Sequence, residues 1–496
     1  MKTVKLAALL SFALAGCAAG PDFQRPDGPH EERYTAEALQ LESNEGEAAG
    51  AQHVVAGAEL GRAWWQLFQS PAVDEVVQRA LAGNRTLAAA AATLEQAQEL
   101  AAAQAGTLAP QIGLNASSGR DKYGEAFLGT FAPPPPFNFF AVGPTVSYTL
   151  DYTGGAARTV EQQYALAEYQ RQQLGAAHLA VSGNAVLQLL RIAAAQAQIA
   201  TVQAVLEQDR ENLKLVKEAF EAGSVSRLDI VSAQSQLASD TTRLSPLRQE
   251  LSVAQHALAV LLGEPPGSAK LPAIELAQLT LPAEIPLSLP SELAHRRPDI
   301  LAAEAQLHAA TAAVGVATAN LYPHITLTAN AAVQAAVPSR LFDGSAGAFG
   351  IVGSIVAPLF DGGTLRAQKR AAIDAMRASA ANYEQTVLTA FGQVADSLQA
   401  LDHDAEQLEA QAHAQDAARE TVDLTRRSYQ EGNVGVLPVL DAERLYQQAR
   451  LGYVRAQAQR YLDTVQLFLA LGGSGPVRPG NTADISVQNP VRTVAR

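Results

Sequence analysis

One cysteine, nine histidines and 49 carboxylates are the side chains through which this 496-residue sequence could attack a substrate or hold a metal. Their spacing speaks against both. The histidines form no HExxH pattern and have no cysteine partner, so no metal site is expected. No nucleophile elbow or phosphate-binding loop occurs, because Gly472-Gly473-Ser474-Gly475 follows a helical stretch rather than joining a strand to a helix. Asp402, Asp404, Glu406 and Glu409 read as a solvated helix face. Pro298 with Asp299 reads as a helix start, beside which Arg297 is expected to pair with a neighbouring carboxylate. No catalysis follows from these groups. What remains is Cys17, whose solitude excludes a disulfide within one chain.

The surroundings of Cys17 give it a different chemistry. Lys2 and Lys5 precede an apolar run from Leu6 to Ala15 that is too short to span a bilayer, which is an export signal over residues 1–16. Leu14-Ala15-Gly16-Cys17 resembles the lipobox of bacterial lipoproteins, in which the cysteine is acylated and becomes the mature N-terminus. Ala18, rather than aspartate, follows it, which in such lipoproteins is compatible with outer-membrane sorting. A covalent lipid on Cys17 is thus expected and no other cofactor. With a net charge of −13 and no basic run, nucleic acid is not an expected partner. Beyond the signal no run of about 18 apolar residues stands out, so any membrane crossing is expected to be made by strands.

The elements that carry these residues are set by an internal duplication. At a shift of roughly 210 residues, Asn84-Arg85-Thr86-Leu87 overlies Arg297-Pro298-Asp299-Ile300, and Gly154-Gly155 overlies Gly362-Gly363. Phe220 to Val225 overlies Tyr429 to Val434, and Leu262-Gly263 overlies Leu471-Gly472. The sequence divides into a lipidated N-terminal segment (17–70), a first repeat (71–262), a Pro-rich equatorial linker (263–290), a second repeat (291–473) and a tail (474–496). Each repeat holds a β-hairpin, at about 111–152 and about 324–360, with period-two alternation such as Val142, Pro144, Val146, Tyr148 against Gly143, Thr145, Ser147, Thr149. Around the hairpins lie an Ala-rich helix over 86–108, long helices over 156–222 and 364–431, and a further helix over 227–262. At 1.5 Å per residue a long helix reaches about 100 Å, which two shorter ones stacked end to end match.

Ile230, Leu237, Leu244, Leu251 and Leu258 recur every seven residues, with Asp240 interrupting the seam three residues on from Leu237, so this helix is expected to supercoil against a partner. Val439, Tyr446, Tyr453 and Leu467 repeat the track in the second unit, with Arg460 intruding. A composition rich in Ala, Gln, Leu and Glu, with only 6% aromatic residues, suits long packed helices better than a globular core. Each strand offers about ten residues, the length of a transmembrane strand. Four strands cannot close a channel, so further copies of the chain must supply the rest.

Taken as a set, Cys17 with Gly20-Pro21-Asp22-Phe23, Trp64-Trp65, Arg296-Arg297-Pro298-Asp299, Leu359-Phe360-Asp361-Gly362-Gly363, Tyr429 with Gly432, and Ala470-Leu471-Gly472-Gly473 resemble the TolC-like outer-membrane efflux family, NodT/OprM lipoprotein type. The resemblance implies a mixed, mainly α fold: a trimeric β-barrel of four strands per protomer, twelve in all, continued by a long periplasmic α-helical barrel. It implies a homotrimer in the outer membrane, partnered by a periplasmic membrane-fusion adaptor and an inner-membrane RND-type transporter, as the exit duct of a tripartite efflux pump. An exit duct for type I protein secretion shares the fold, and a poreless coiled-coil scaffold is a third reading. By the same resemblance the duct closes at the helix tips, where Gly223, Val225, Gly432 and Val434 form the turns and the adaptor contact. Tyr429, Asp441 and Asp229 take gate positions. Pro438 stands where TolC has a second aspartate, and Val434 where it has a gate arginine. For Asp441 and Asp229 two readings stand: an acidic ring at the entrance, or carboxylates complementing the macrodipole in the first turns of their helices.

Overall fold

The computed structural model describes residues 19–27, 33–35, 52–58, 60–61, 63–122 and 135–473. Cys17, the signal at 1–16 and the tail at 474–496 lie outside the described residues. After a short strand β1 (His53–Ala56), the first repeat runs α1 (Pro71–Gly83), α2 (Arg85–Gly106), β2 (Gln111–Asp121), β3 (Phe137–Leu150), α3 (Gly155–Glu221), α4 (Arg227–Thr241) and α5 (Leu244–Leu261). Strand β4 (Glu284–Leu287) follows. The second repeat then runs α6 (Pro290–Leu293), α7 (Pro298–Ala319), β5 (His324–Ala335), β6 (Gly347–Val356), α8 (Thr364–Gln430) and α9 (Val436–Ala470).

Local chemistry sets these boundaries. Asn84 starts α2 by accepting the Thr86 and Leu87 N–H groups on Oδ1, at 2.9 and 3.1 Å. Asp151 accepts the Ala157 N–H at 2.8 Å and Asp361 the Leu365 N–H at 2.8 Å, so an aspartate ends each hairpin and begins each 67-residue helix. The helix expected over 227–262 is in fact two. Pro246 has no N–H to give the Thr242 carbonyl, and the chain tightens there into three-residue turns, Thr242 N–H to Ser239 O and Arg243 N–H to Asp240 O.

Strands pair antiparallel in the order β2-β3-β5-β6. The register carries one apolar face across all four: Ile112 opposite Val146, Val146 opposite Ala329, and Ala329 opposite Ile351. On the other face Gly113, Thr145 and Asn330 align, then Asn330 with Gly350. The apolar face is bare, with Ile112 75%, Ile351 78% and Phe349 84% exposed. β2 and β6 are edges with unpaired backbone.

Midway along the helices, β1 pairs in parallel with β4, a contact between four-residue strands that the sequence pattern does not announce. Trp64 and Phe68 are buried against Phe468 and Tyr461 of α9, with ring centroids 5.7 to 6.3 Å apart, and form one core with Leu189, Leu190, Leu258 and Leu398. This girdle covers one side of the helical layer only. On α3 the opposite stripe is uncovered, with Asn184 and Arg191 exposed and Gln188 half-buried. On α9 it is Arg455, Gln459 and Gln466 that are exposed, away from Tyr461, Thr464 and Phe468. α3 and α7 are long and apolar enough, by composition, to cross a membrane. Much of that apolar surface is alanine packed between these two helices and their neighbours.

Asp404 corrects another expectation. It is buried rather than solvated, and burial together with a hydrogen bond to Asp463 pushes its carboxyl up to about 7. Arg460, the charge intruding on the seam of α9, is buried beside it and donates from Nε to Gln52 Oε1 at 3.0 Å. Arg297 does find its carboxylate, Asp299 at 2.9 Å, and also caps α9 by donating to the Ala470 carbonyl at 2.7 Å.

Candidate functional site

The far ends of the long helices hold the residues singled out above. α3 turns into α4 through Gly223 and α8 into α9 through Gly432, with φ of 75° and 74°. In each turn the third residue past the helix donates back to the last turn, Ser224 to Ala219 O and Asn433 to Ser428 O, both at 2.9 Å. No atom lies within 4 Å of where a Cβ would stand on either glycine, so it is the left-handed backbone alone that requires glycine. Val225 and Val434, equivalent in the two repeats, are half-buried at these turns.

Asp229 is buried within a capping box. Its Oδ2 accepts from the Ser226 N–H at 2.7 Å and the Ser226 hydroxyl at 2.8 Å, and these bonds hold its carboxyl below the usual carboxylate range. Asp441 sits differently. It is the sixth residue of α9, beyond the first turn, which removes the macrodipole reading for this position. It is exposed and takes Arg444 Nη2 at 2.6 Å, and it falls five turns of about 3.6 residues before Gln459, on the uncovered side of the helix. Tyr429, in the last turn of α8, is 40% exposed. Its hydroxyl makes no hydrogen bond among the described residues. Pro438 is the third residue of α9, where the N–H it lacks has no intrahelical acceptor.

What joins the two helical hairpins at this end is a set of residues that sequence reasoning missed. Glu443 of α9 is buried; its Oε1 accepts from Arg426 of α8, Nε at 3.0 Å and Nη2 at 2.7 Å, and its Oε2 accepts from Asn212 of α3. One carboxylate thus ties three helices. Next to it, burial and the carboxyl of Asp240 push Asp209 up to about 6, while Asp240 pairs with Arg243 at 3.1 Å. The visible hint was Asp240, a charge standing in an otherwise apolar heptad track. A buried apolar contact of Val202, Leu206, Leu247 and Leu451 lies on the girdle side of the clasp.

At the other end, the segment that follows the cysteine is docked. The Ala19 N–H donates to Thr153 O at 2.9 Å, where β3 gives way to α3. Gly20 lies so close to Gly315 of α7 that a Cβ would stand 2.5 Å from its Cα. Asp22 pairs with the buried Arg158, Phe23 stacks on His308 at 4.3 Å, and Arg25 meets Glu304 at 2.8 Å. This is the work of the Gly20-Pro21-Asp22-Phe23 motif.

The outer membrane efflux protein family matches residues 76–264 and 289–473. The chain is 32% identical to the pyoverdine export outer membrane protein OpmQ of Pseudomonas aeruginosa, over 83% of its own length and 87% of that protein. It is 30% identical to the probable efflux pump outer membrane protein TtgC of Pseudomonas putida, over 99% of both chains. Among solved structures, the outer-membrane channel OprN superposes with a TM-score of 0.82 at 28% identity, over 92% of this chain and 99% of that one.

Proposed function

The chain belongs to the outer membrane efflux protein family, and from that premise we propose that three copies form the outer-membrane exit duct of a tripartite RND-type pump. Catalysis has no part in it. The observation that carries the reading is the four-stranded sheet, apolar on one face and polar on the other, that leads through the short turns 151–154 and 357–363 into two 67-residue helices. Its edges β2 and β6 need partners in lipid, and twelve strands from three protomers close the barrel. The helices follow the same rule: α3 is flanked by α2 and α7, whereas the strand-proximal part of α8 is largely exposed and has room for α2 of the next protomer.

Inside the cylinder lies the side of α3 and α9 that the girdle leaves bare. The duct passes small molecules delivered by an inner-membrane transporter and a periplasmic adaptor, a reading supported by the likeness to OpmQ, named for pyoverdine export, and to TtgC, named for an efflux pump. The tips at Gly223 and Gly432, with Val225 and Val434, meet the adaptor. The gate combines Asp441 at the axis, Tyr429 between protomers and the Glu443 clasp within each; Asp229 serves its own helix end. Cys17 carries the lipid, two residues before Ala19, which is fixed at the junction of sheet and helix where an inner-leaflet anchor must lie. Purified full-length protein should run as a trimer and form channels in planar bilayers. A monomer without conductance would refute the duct. Metabolic labelling with palmitate, lost in Cys17→Ser, tests the anchor.

A further inference from the structure

Between the girdle and the tips, the bare side of α3, α5 and α9 holds a groove of about 570 Å³ in which three guanidiniums gather: Arg191, Arg243 and Arg455. Gln198 and Gln459 line it too, the latter donating to Asp463 at 2.8 Å, and Glu250 is the one carboxylate in its lining among the described residues. Arg243 is partly neutralised by Asp240 at 3.1 Å. Arg455 spends its Nε on the neutral Gln198 Oε1 at 3.0 Å, and Arg191 has no ion-pair partner among the described residues. The groove is thus positive in a chain whose net charge is −13. Three guanidiniums held together repel one another unless an anion joins them, and a planar fork matches a carboxylate with two parallel bonds. Recessed walls of low dielectric strengthen that attraction over what the same charges achieve on an open surface.

We propose that this groove binds small organic anions carrying two or three carboxylates as they pass along the duct, an assignment that rests on the reading of this face as the lumen. Arg191 and Arg455 supply the guanidiniums with free donors, Gln198 and Gln459 accept or donate to hydroxyls between the carboxylates, and Glu250 limits the affinity so that the anion leaves again. Its volume falls within the range of small-molecule sites. Three protomers place three such grooves at one level of the lumen, which becomes a basic girdle that holds anions back from the acidic stretch beyond it, where Asp396 and Asp463 line the next cavity.

Citrate is the probe. It is titrated into the full-length trimer at low salt with calorimetric detection, alongside single-channel recording of the same preparation with citrate added on the barrel side. Wild-type protein is expected to bind citrate saturably and to pass less current in its presence. Arg191→Gln with Arg455→Gln should weaken binding by about tenfold or more, since two charge-assisted pairs are lost, and Glu250→Gln should tighten it. Neither arginine makes an ion pair among the described residues, and Glu250→Gln keeps shape, so the pair of opposed changes does not depend on one variant's folding. A trimer that conducts but binds no citrate, or binds it equally in all three proteins, overturns the site while the duct stands. A preparation without conductance overturns the duct and the site with it.

Discussion

Glu443→Ala is the sharpest test of how the tips are held. The substitution removes three hydrogen bonds at once, two from Arg426 and one from Asn212. Breaking a fully buried ion pair costs about 3–5 kcal/mol, but that figure assumes a partner charge left without water. Arg426 is 44% exposed, so water reaches the abandoned guanidinium and the loss drops to about 1 kcal/mol per protomer. In the proposed trimer, three clasps opening together would sum to about 3 kcal/mol, a shift on the order of a hundredfold in the closed-to-open ratio. Single-channel recordings should show the high-conductance state far more often in Glu443→Ala than in the wild type. Glu443→Gln, which keeps an acceptor for Arg426, should fall between them. Unchanged open probability in the alanine variant, with the trimer intact, would falsify the clasp.

Other expectations follow from single positions. Gly223→Ala and Gly432→Ala place a Cβ on a left-handed backbone in otherwise open space, so each should lower stability by about 1 kcal/mol without altering trimer assembly, seen as a modest drop in melting temperature. Asp404 and Asp209 have carboxyls raised to about 7 and about 6 in the folded chain, so folding favours their protonated forms and stability is lost as pH rises from about 4 through those values. Asp404→Asn and Asp209→Asn should therefore gain on the wild type in thermal unfolding across that window and run parallel to it above; a constant gap from pH 4 to 8 would contradict the assignment. Gly20→Val should detach the arm from α7, read as faster proteolysis around residue 25, because the side chain cannot fit against Gly315.

How much of this was legible depended on the length scale of each feature. The hairpins and 67-residue helices were readable because alternation and helical pattern persist over many residues, and the tip turns because a left-handed residue is nearly always glycine. The pairing of β1 with β4 was not, since four residues hold too few periods to signal a strand. Asp404 looked solvated because charge on one helix face reads the same whether that face meets water or Arg460 of another helix. Tyr429, Asp441 and Asp229 came from resemblance, whereas the clasp joins residues as far apart as Asn212 and Glu443, and only the folded chain sets them side by side. Charges at seam positions, Asp240 and Arg460, were the one local sign, because an apolar track tolerates a charge only where a partner waits across the interface.

The two repeats share a path but not a role, and their burial explains the difference. α3 is buried along its length, from Arg158 under the N-terminal arm to Asn212 in the clasp. α8 buries little outside a single stripe through Tyr383, Val387, Ala390, Val394, Leu398 and Leu401, and past Leu408 only Val422. Beyond the girdle, then, the α8–α9 hairpin is fastened to α3 by the Arg455–Gln198 hydrogen bond, the small apolar cluster around Leu451 and Glu443. A hairpin anchored at one end and held at the other by an ion pair with one half-exposed partner is the element expected to move, since elements that move are drawn from the weakly packed parts of a fold. The α3–α4 hairpin, continued by α5 and tied to it through Leu247 against Val202 and Leu206, is the frame against which such a movement is expected. Asp441 stands on the α8–α9 hairpin and Asp229 on the α3–α4 hairpin. Under the proposed gate, a ring of Asp441 side chains would then stand where opening widens it, whereas Asp229 caps its own helix end.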